Sequence, residues 1–218
     1  MKRFMVIGLG NFGFHVASTL YQEGHEVIAV DQDRDRVHRL KDLTSYAIVA
    51  DAASKDFLRR QGVQELDAVI VSTGERSHLS TLITMYLKEL GVKRILVKAL
   101  DEDHGRILEK IGATDIIFPE RETARKLARA LASPNILEFL PLSGEEGIHE
   151  VSPPPHFIGK NLIDLDLRKR FNVTVIAVKD VLTDAFTIPP VPSALIKDSD
   201  VLIMLGRAAA IEKACKAN

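Results

Sequence analysis

Six times between Arg3 and Ala132, a short and nearly continuous apolar run is followed by a stretch with helical spacing. The runs are RFMVIG, EVIAVD, YAIVAD, DAVIVST, RILVKA and TDIIFP. An apolar run without alternation suits a strand buried on both faces, and such strands belong to parallel sheets covered by helices. The intervening stretches supply those helices. Leu79, Leu82, Ile83, Tyr86, Leu87 and Leu90 fall on one helical face, and Gly24 and Gly91 are placed to stop helices. Asp33 and Ser54 are placed to cap the next ones. Right-handed crossovers then wind the chain into an α/β, doubly wound parallel sheet of Rossmann type.

The pattern breaks at Ser133-Pro134-Asn135. Beyond it, ILEFLPL, IHEVS, VTVIAV and VLIMLG read as strands, IGKNLIDLDLRKRF as a helix-like piece and RAAAIEKACKA as a closing helix. Pro153-Pro154-Pro155 fits neither a sheet interior nor a helix. IPPVPSALIKDSD reads as a loop. The expected organisation is a nucleotide-binding domain over residues 1–135 and a small α+β domain over 136–218.

The first apolar run ends in VIGLGNFG, so Gly8, Gly10 and Gly13 form a G-x-G-x-x-G between a strand and a helix. Gly8 permits the tight turn, Gly10 leaves the backbone open to a pyrophosphate, and Gly13 lets the helix lie close on the sheet. The free N–H groups and the positive helix end face the phosphates. Asp31 ends the second run, where a carboxylate takes ribose hydroxyls and repels a 2′-phosphate; a helix N-cap is its other reading. Asp51 ends the third run and either flanks an adenine or solvates a turn. Thr73 and Gly74 end the fourth and can line the same crevice.

A nucleotide does not imply catalysis, because this fold serves many ends. The 218 residues carry a formal net charge of −1, which gives no broad attraction to nucleic acid. The one cysteine, Cys215, cannot form an internal disulfide, and no apolar run approaches the length of a membrane helix. Zinc-protease, C-x-x-C, nucleophile-elbow and P-loop motifs are all missing. The alternative to a binding protein is a nicotinamide-dependent oxidoreductase whose second domain supplies His149, His156, Lys160 or Arg168. His149 and His156 are instead expected at the surface, and His78 and His104 are expected to be solvated at helix starts.

FMVIGLGNFG, EVIAVD, AIVADAAS, DAVIVSTGE, LKELGVKRILVKA and ILEKIGATDIIFPE together resemble the RCK domain, the regulator of potassium conductance in the KtrA and TrkA subunits of bacterial potassium transporters. FIGKNLIDLDLRKRFNVTVIAVK and IKDSDVLIMLG resemble its carboxy-terminal partner domain. The resemblance implies a non-enzymatic cytoplasmic subunit held at the inner membrane face by a membrane potassium-transporting subunit of KtrB/TrkH type. It implies a homodimer, formed through the helix ERETARKLARALA, that assembles into an octameric gating ring. It also implies ATP, ADP or NAD(H) in a cradle of Gly8, Gly10, Asn11, Phe12, Gly13, Asp31, Gln32, Asp51, Ala52, Thr73, Gly74, Lys98 and Glu120.

In that cradle Glu120 either joins a divalent cation near the phosphates or is an ordinary first-turn acid. Asn11 stands where the KtrA type often has an arginine for a neighbour's terminal phosphate, which opens the site to AMP-like ligands; Lys98 can supply charge instead. In the carboxy-terminal domain, Ile163 and Arg168 are candidates for cyclic di-AMP. The alternative is that the helix packs through Leu162, Leu165 and Leu167, with its arginine in solvent. The stripe Ala124, Leu127, Ala128 and Leu131 serves either the chain's own sheet or half of a dimer core.

Overall fold

The computed structural model describes residues 1–74, 76–132 and 135–217. The chain divides into two compact units, Met1–Arg121 and Glu122–Asn218. The boundary expected from sequence falls between residues 135 and 136, just after Ser133 and Pro134, which lie outside the described residues.

In the first unit all six apolar runs form strands: β1 (Arg3–Ile7), β2 (Glu26–Asp31), β3 (Tyr46–Val49), β4 (Ala68–Val71), β5 (Ile95–Lys98) and β6 (Asp115–Ile117). They pair in parallel in the order β3-β2-β1-β4-β5-β6. The order reverses between β1 and β4, and ligands of open α/β sheets bind in the crevice beyond the strand ends at such a point. Helices α1 (Asn11–Gln22), α2 (Arg34–Arg39), α3 (Lys55–Arg60), α4 (Ser77–Glu89) and α5 (Glu102–Ile111) follow the strands.

Both faces of this sheet are covered, which explains why its strands lack alternation. Met5, Ile7, Ile28, Val30, Val69 and Val71 pack with Leu58, Ile83, Leu87 and Leu108 of α3, α4 and α5. Val6, Val27, Ala29 and Ile70 point the other way and pack with Ala17 and Val37 of α1 and α2. Neighbouring residues thus enter opposite cores, as the two-residue period of a strand requires. The expected caps form: Asp33 accepts from the N–H groups of Asp35 and Arg36, and Ser54 from that of Phe57 at 3.3 Å.

Helix α6 (Pro119–Ala132) leads into the second unit. There β7 (Ile136–Ser143), β8 (Glu146–Val151), β9 (Thr174–Asp180), β10 (Ala185–Thr187) and β11 (Asp200–Arg207) form an antiparallel sheet in the order β10-β9-β11-β8-β7. The strand β10 falls where no strand was expected. It is short, exposed along its length and paired only to β9, so it carries no burial pattern. The helix-like piece divides into α7 (Leu162–Leu165) and α8 (Leu167–Phe171), because Asp166 adopts φ 42° between them. A left-handed residue cannot continue an α-helix. The last helix, α9 (Ala208–Lys216), packs Ile211, Ala214 and Cys215 into a core with Val151, Leu202 and Met204.

Candidate functional site

The glycine turn is held from three sides. The N–H of Gly8 donates to Val30 O at 2.8 Å, and that of Ser72 donates to Ile7 O at 2.7 Å, tying the turn to β2 and β4. The N–H of Leu9 donates to Asp31 Oδ2 at 2.7 Å. Gly8 has φ +89°, and a Cβ there would lie 2.1 Å from Ser72 O. A Cβ on Gly13 would lie 1.9 Å from Gly8 O. Both glycines are therefore demanded by contact between backbones. Gly10 differs: a Cβ there would meet nothing within 4 Å. Its lack of a side chain serves no internal packing and leaves free approach to the start of α1, where N–H groups lack helical partners.

Asp31 is buried, with 6% of its surface exposed. Besides Leu9, it accepts the N–H of Asp33 on Oδ1 at 2.9 Å, and Arg36 lies 3.7 Å from Oδ2. Asp33, not Asp31, caps α2. Each Asp31 oxygen takes one N–H, so each keeps acceptor capacity for a further donor such as a ribose hydroxyl.

Asp31 lines a cleft together with Gly8, Gln32, Asp51, Ala52 and Thr73, six of the residues singled out from sequence. Apolar side chains of Ile7, Leu79 and Ile83 and the small Ala50 and Ala53 complete its walls. Asp51 also accepts the N–H of Ala53 at 2.9 Å, so it holds a local turn and faces the cleft at once. Gly74, at φ +65°, follows Thr73; Asn11 opens α1 in solvent and Phe12 packs behind it. One polar cleft residue was not foreseen: Arg76, immediately before α4. Its only signal in the sequence was a cation three positions after Thr73.

Lys98 and Glu120 meet each other rather than this cleft. Lys98 Nζ donates to Glu120 Oε1, and this contact holds the Glu120 carboxyl below its ordinary range. A divalent cation at Glu120 would have to displace that ammonium. Among the described residues no three His, Cys, Asp or Glu side chains cluster as metal ligands.

In the second unit Ile163 and Arg168 line one pocket with Leu162, Leu167, Val175 and Pro192. The expectation of four solvated histidines fails at two of them. His149 is 1% exposed, its ring 4.6 Å from that of Phe139 across the β7–β8 pair. His104 is 7% exposed and bonded at both ring nitrogens. The Leu100 N–H donates to Nδ1 at 3.3 Å, which leaves the proton on Nε2, 3.1 Å from Ser80 Oγ. That hydroxyl in turn donates to Ser77 O at 2.8 Å. His104 is therefore a satisfied interior group binding α5 to α4.

A glycine turn closing on a helix start, a buried carboxylate on the neighbouring strand and a cleft where the strand order reverses define a Rossmann-type nucleotide cradle. The comparisons with known proteins narrow this class. The TrkA-N domain model matches residues 4–119, and the TrkA-C domain model matches residues 148–217. The chain is 38% identical to Ktr system potassium uptake protein C of Bacillus subtilis, over 94% of this chain and 92% of that protein. It is 36% identical to Ktr system potassium uptake protein A of the same organism, over 94% and 91%. The chain belongs to this family of TrkA-N/TrkA-C potassium uptake proteins. Among solved structures, the GsuK channel bound to NAD matches with a TM-score of 0.55 at 18% identity, over 98% of this chain and 38% of that one. The chain thus spans well under half of that channel's length, and the likeness establishes the shared RCK-type fold alone. Among the described residues no helix is long and apolar enough to cross a membrane.

Proposed function

We propose that the chain is a non-catalytic regulatory subunit that binds an adenine nucleotide in the Asp31 cleft and controls a separate membrane potassium-transporting subunit of KtrB/TrkH type. The ligand class is ATP, ADP or NAD(H), with AMP as a smaller member. Asp31 holds the ribose, the N–H groups at the start of α1, from Gly10 to Gly13, face the phosphates, and Gln32, Asp51, Ala52, Thr73 and Gly74 surround the base. Control requires a ligand that contacts two states of the assembly differently. A terminal phosphate near Asn11 is such a contact, and the Lys98–Glu120 pair, with or without a divalent cation, is a second.

The assembly is a homodimer built into an octameric ring on the cytoplasmic face of the membrane. The stripe of α6 supports this: Leu127 is 59% and Leu131 75% exposed. Leu137, Leu140 and Leu142 of β7 are also exposed. The pocket of Ile163 and Arg168 is the candidate cyclic di-AMP site.

The observation that carries the reading is the buried Asp31 carboxylate at the switch-point cleft, in a chain so close to Ktr uptake proteins. Calorimetry with ATP, ADP, AMP, NADH and cyclic di-AMP tests it. Adenine nucleotides should bind the wild-type chain, and Asp31→Asn should weaken them at least about tenfold, the cost of a lost charged hydrogen bond. Cyclic di-AMP binding should survive that substitution. An Asn variant with wild-type nucleotide affinity removes Asp31 from the site. Steady NADH oxidation with a small substrate replaces the reading by the oxidoreductase one.

A further inference from the structure

Arg76 shares the cleft with two carboxylates, Asp31 and Asp51, which repel a phosphate. The N–H groups left free for phosphates lie at the start of α1. The other cations nearby have partners. Arg36 lies 3.7 Å from Asp31 and 3.5 Å from Asp33, and Lys98 is joined to Glu120. Arg76 is exposed and has no ion pair among the described residues; it is also the sole cation among the residues lining the cleft. The Thr73 hydroxyl donates to Arg76 O at 3.3 Å just before α4. Ala52, Ala53, Leu79 and Ile83 give the same cleft an apolar lining.

A planar guanidinium at a cleft with apolar lining is matched by a neutral aromatic heterocycle, on whose face it stacks by cation–π attraction and flat contact. We infer that Arg76 is a specificity-determining residue that lies on the purine base, so that the cleft's affinity comes from the nucleoside end of its ligand rather than from the number of phosphates. This rests on the nucleotide-binding reading above and adds to it a residue and a selectivity. A base-led site accepts AMP, ADP and a dinucleotide on similar terms and discriminates against ligands without a purine.

The test is calorimetry on the full chain with adenosine, AMP and ADP, comparing wild type with R76A and R76K. R76A should weaken all three by one common factor of about five to thirty, the range of a stacked cation. R76K should restore little, because an ammonium has no planar face. Both variants should melt with the wild type, since the side chain is exposed and does not cap α4; should R76A fail to fold, R76K alone carries the comparison. A loss that grows with phosphate number would assign Arg76 to the phosphates and overturn the inference. Unchanged affinity in R76A, or full recovery in R76K, would overturn it equally. A wild-type chain that binds none of the three defeats the underlying nucleotide reading instead, whereas wild-type binding with an inert Arg76 defeats only this inference.

Discussion

The three glycines of the turn have different physical duties, and substitution should separate them. Gly13→Ala drives a Cβ into the carbonyl of Gly8, with backbone on both sides of the clash, so neither partner can rotate away. Overpacking of this kind costs about 1–3 kcal/mol, and urea unfolding should report at least that. Gly10→Ala meets open space; its stability should stay within about 0.5 kcal/mol of wild type, as for other unstrained surface changes, while its nucleotide affinity falls. The contacts of Asp31 likewise decide how it is best probed. Truncation to Ala would strand the buried N–H of Leu9 and free the part-buried N–H of Asp33. The buried donor alone costs about 1–3 kcal/mol, so lost binding would be mixed with lost stability. Asparagine keeps the shape and one carbonyl acceptor, which makes it the cleaner probe.

At the scale of elements, α9 offers a measurable titration. Cys215, on its buried face, has its thiol pushed up to about 11, first by desolvation and then by the negative charge of Glu212. In the unfolded chain the thiol ionises near its ordinary value of 9.0. Between these values the unfolded state sheds a proton that the native state keeps, so stability falls as pH rises from about 9 to 11. The full effect is about 2–3 kcal/mol. The difference in unfolding free energy between wild type and Cys215→Ala should carry that slope, and a thiol reagent at neutral pH should react with the native chain only after unfolding.

The elements also show how far a sequence reaches. The six strands of the first unit were legible because burial on both faces leaves an unbroken apolar run, and the caps at Asp33 and Ser54 because capping is local. The glycine turn and Asp31 were legible for the same reason: chain spacing alone sets their relation. What stayed hidden depends on distant chain. Nothing near His104 announces that Leu100 and Ser80 will satisfy its ring, and nothing near His149 announces Phe139. The break at Asp166 is a single backbone angle, and β10 has no pattern of its own. Arg76 joins Asp31 and Asp51 only because β4 lies beside β1, and the division of duty between Lys98 and Glu120 follows from the pairing of β5 with β6.

At the scale of the whole molecule, the exposed leucines of α6 and β7 predict association. Light scattering on the purified chain should give a mass several times that of one polypeptide, with an even number of copies. Leu127→Lys combined with Leu131→Lys should reduce that mass toward a single chain, because a desolvated ammonium in an apolar contact is far costlier than the lost methyl groups. A double variant of unchanged mass would place the contact elsewhere.

Association through those bare leucines would tie the protein's soundness to its abundance. Where copies are plentiful, each would find a mate and gain the free energy of the shared surface. Where they are scarce, dilution acts as a mild denaturant, and the unmated chain offers a greasy helix to proteases and to foreign surfaces. A cell that makes too few copies would therefore be left not with small amounts of working protein but with fragments.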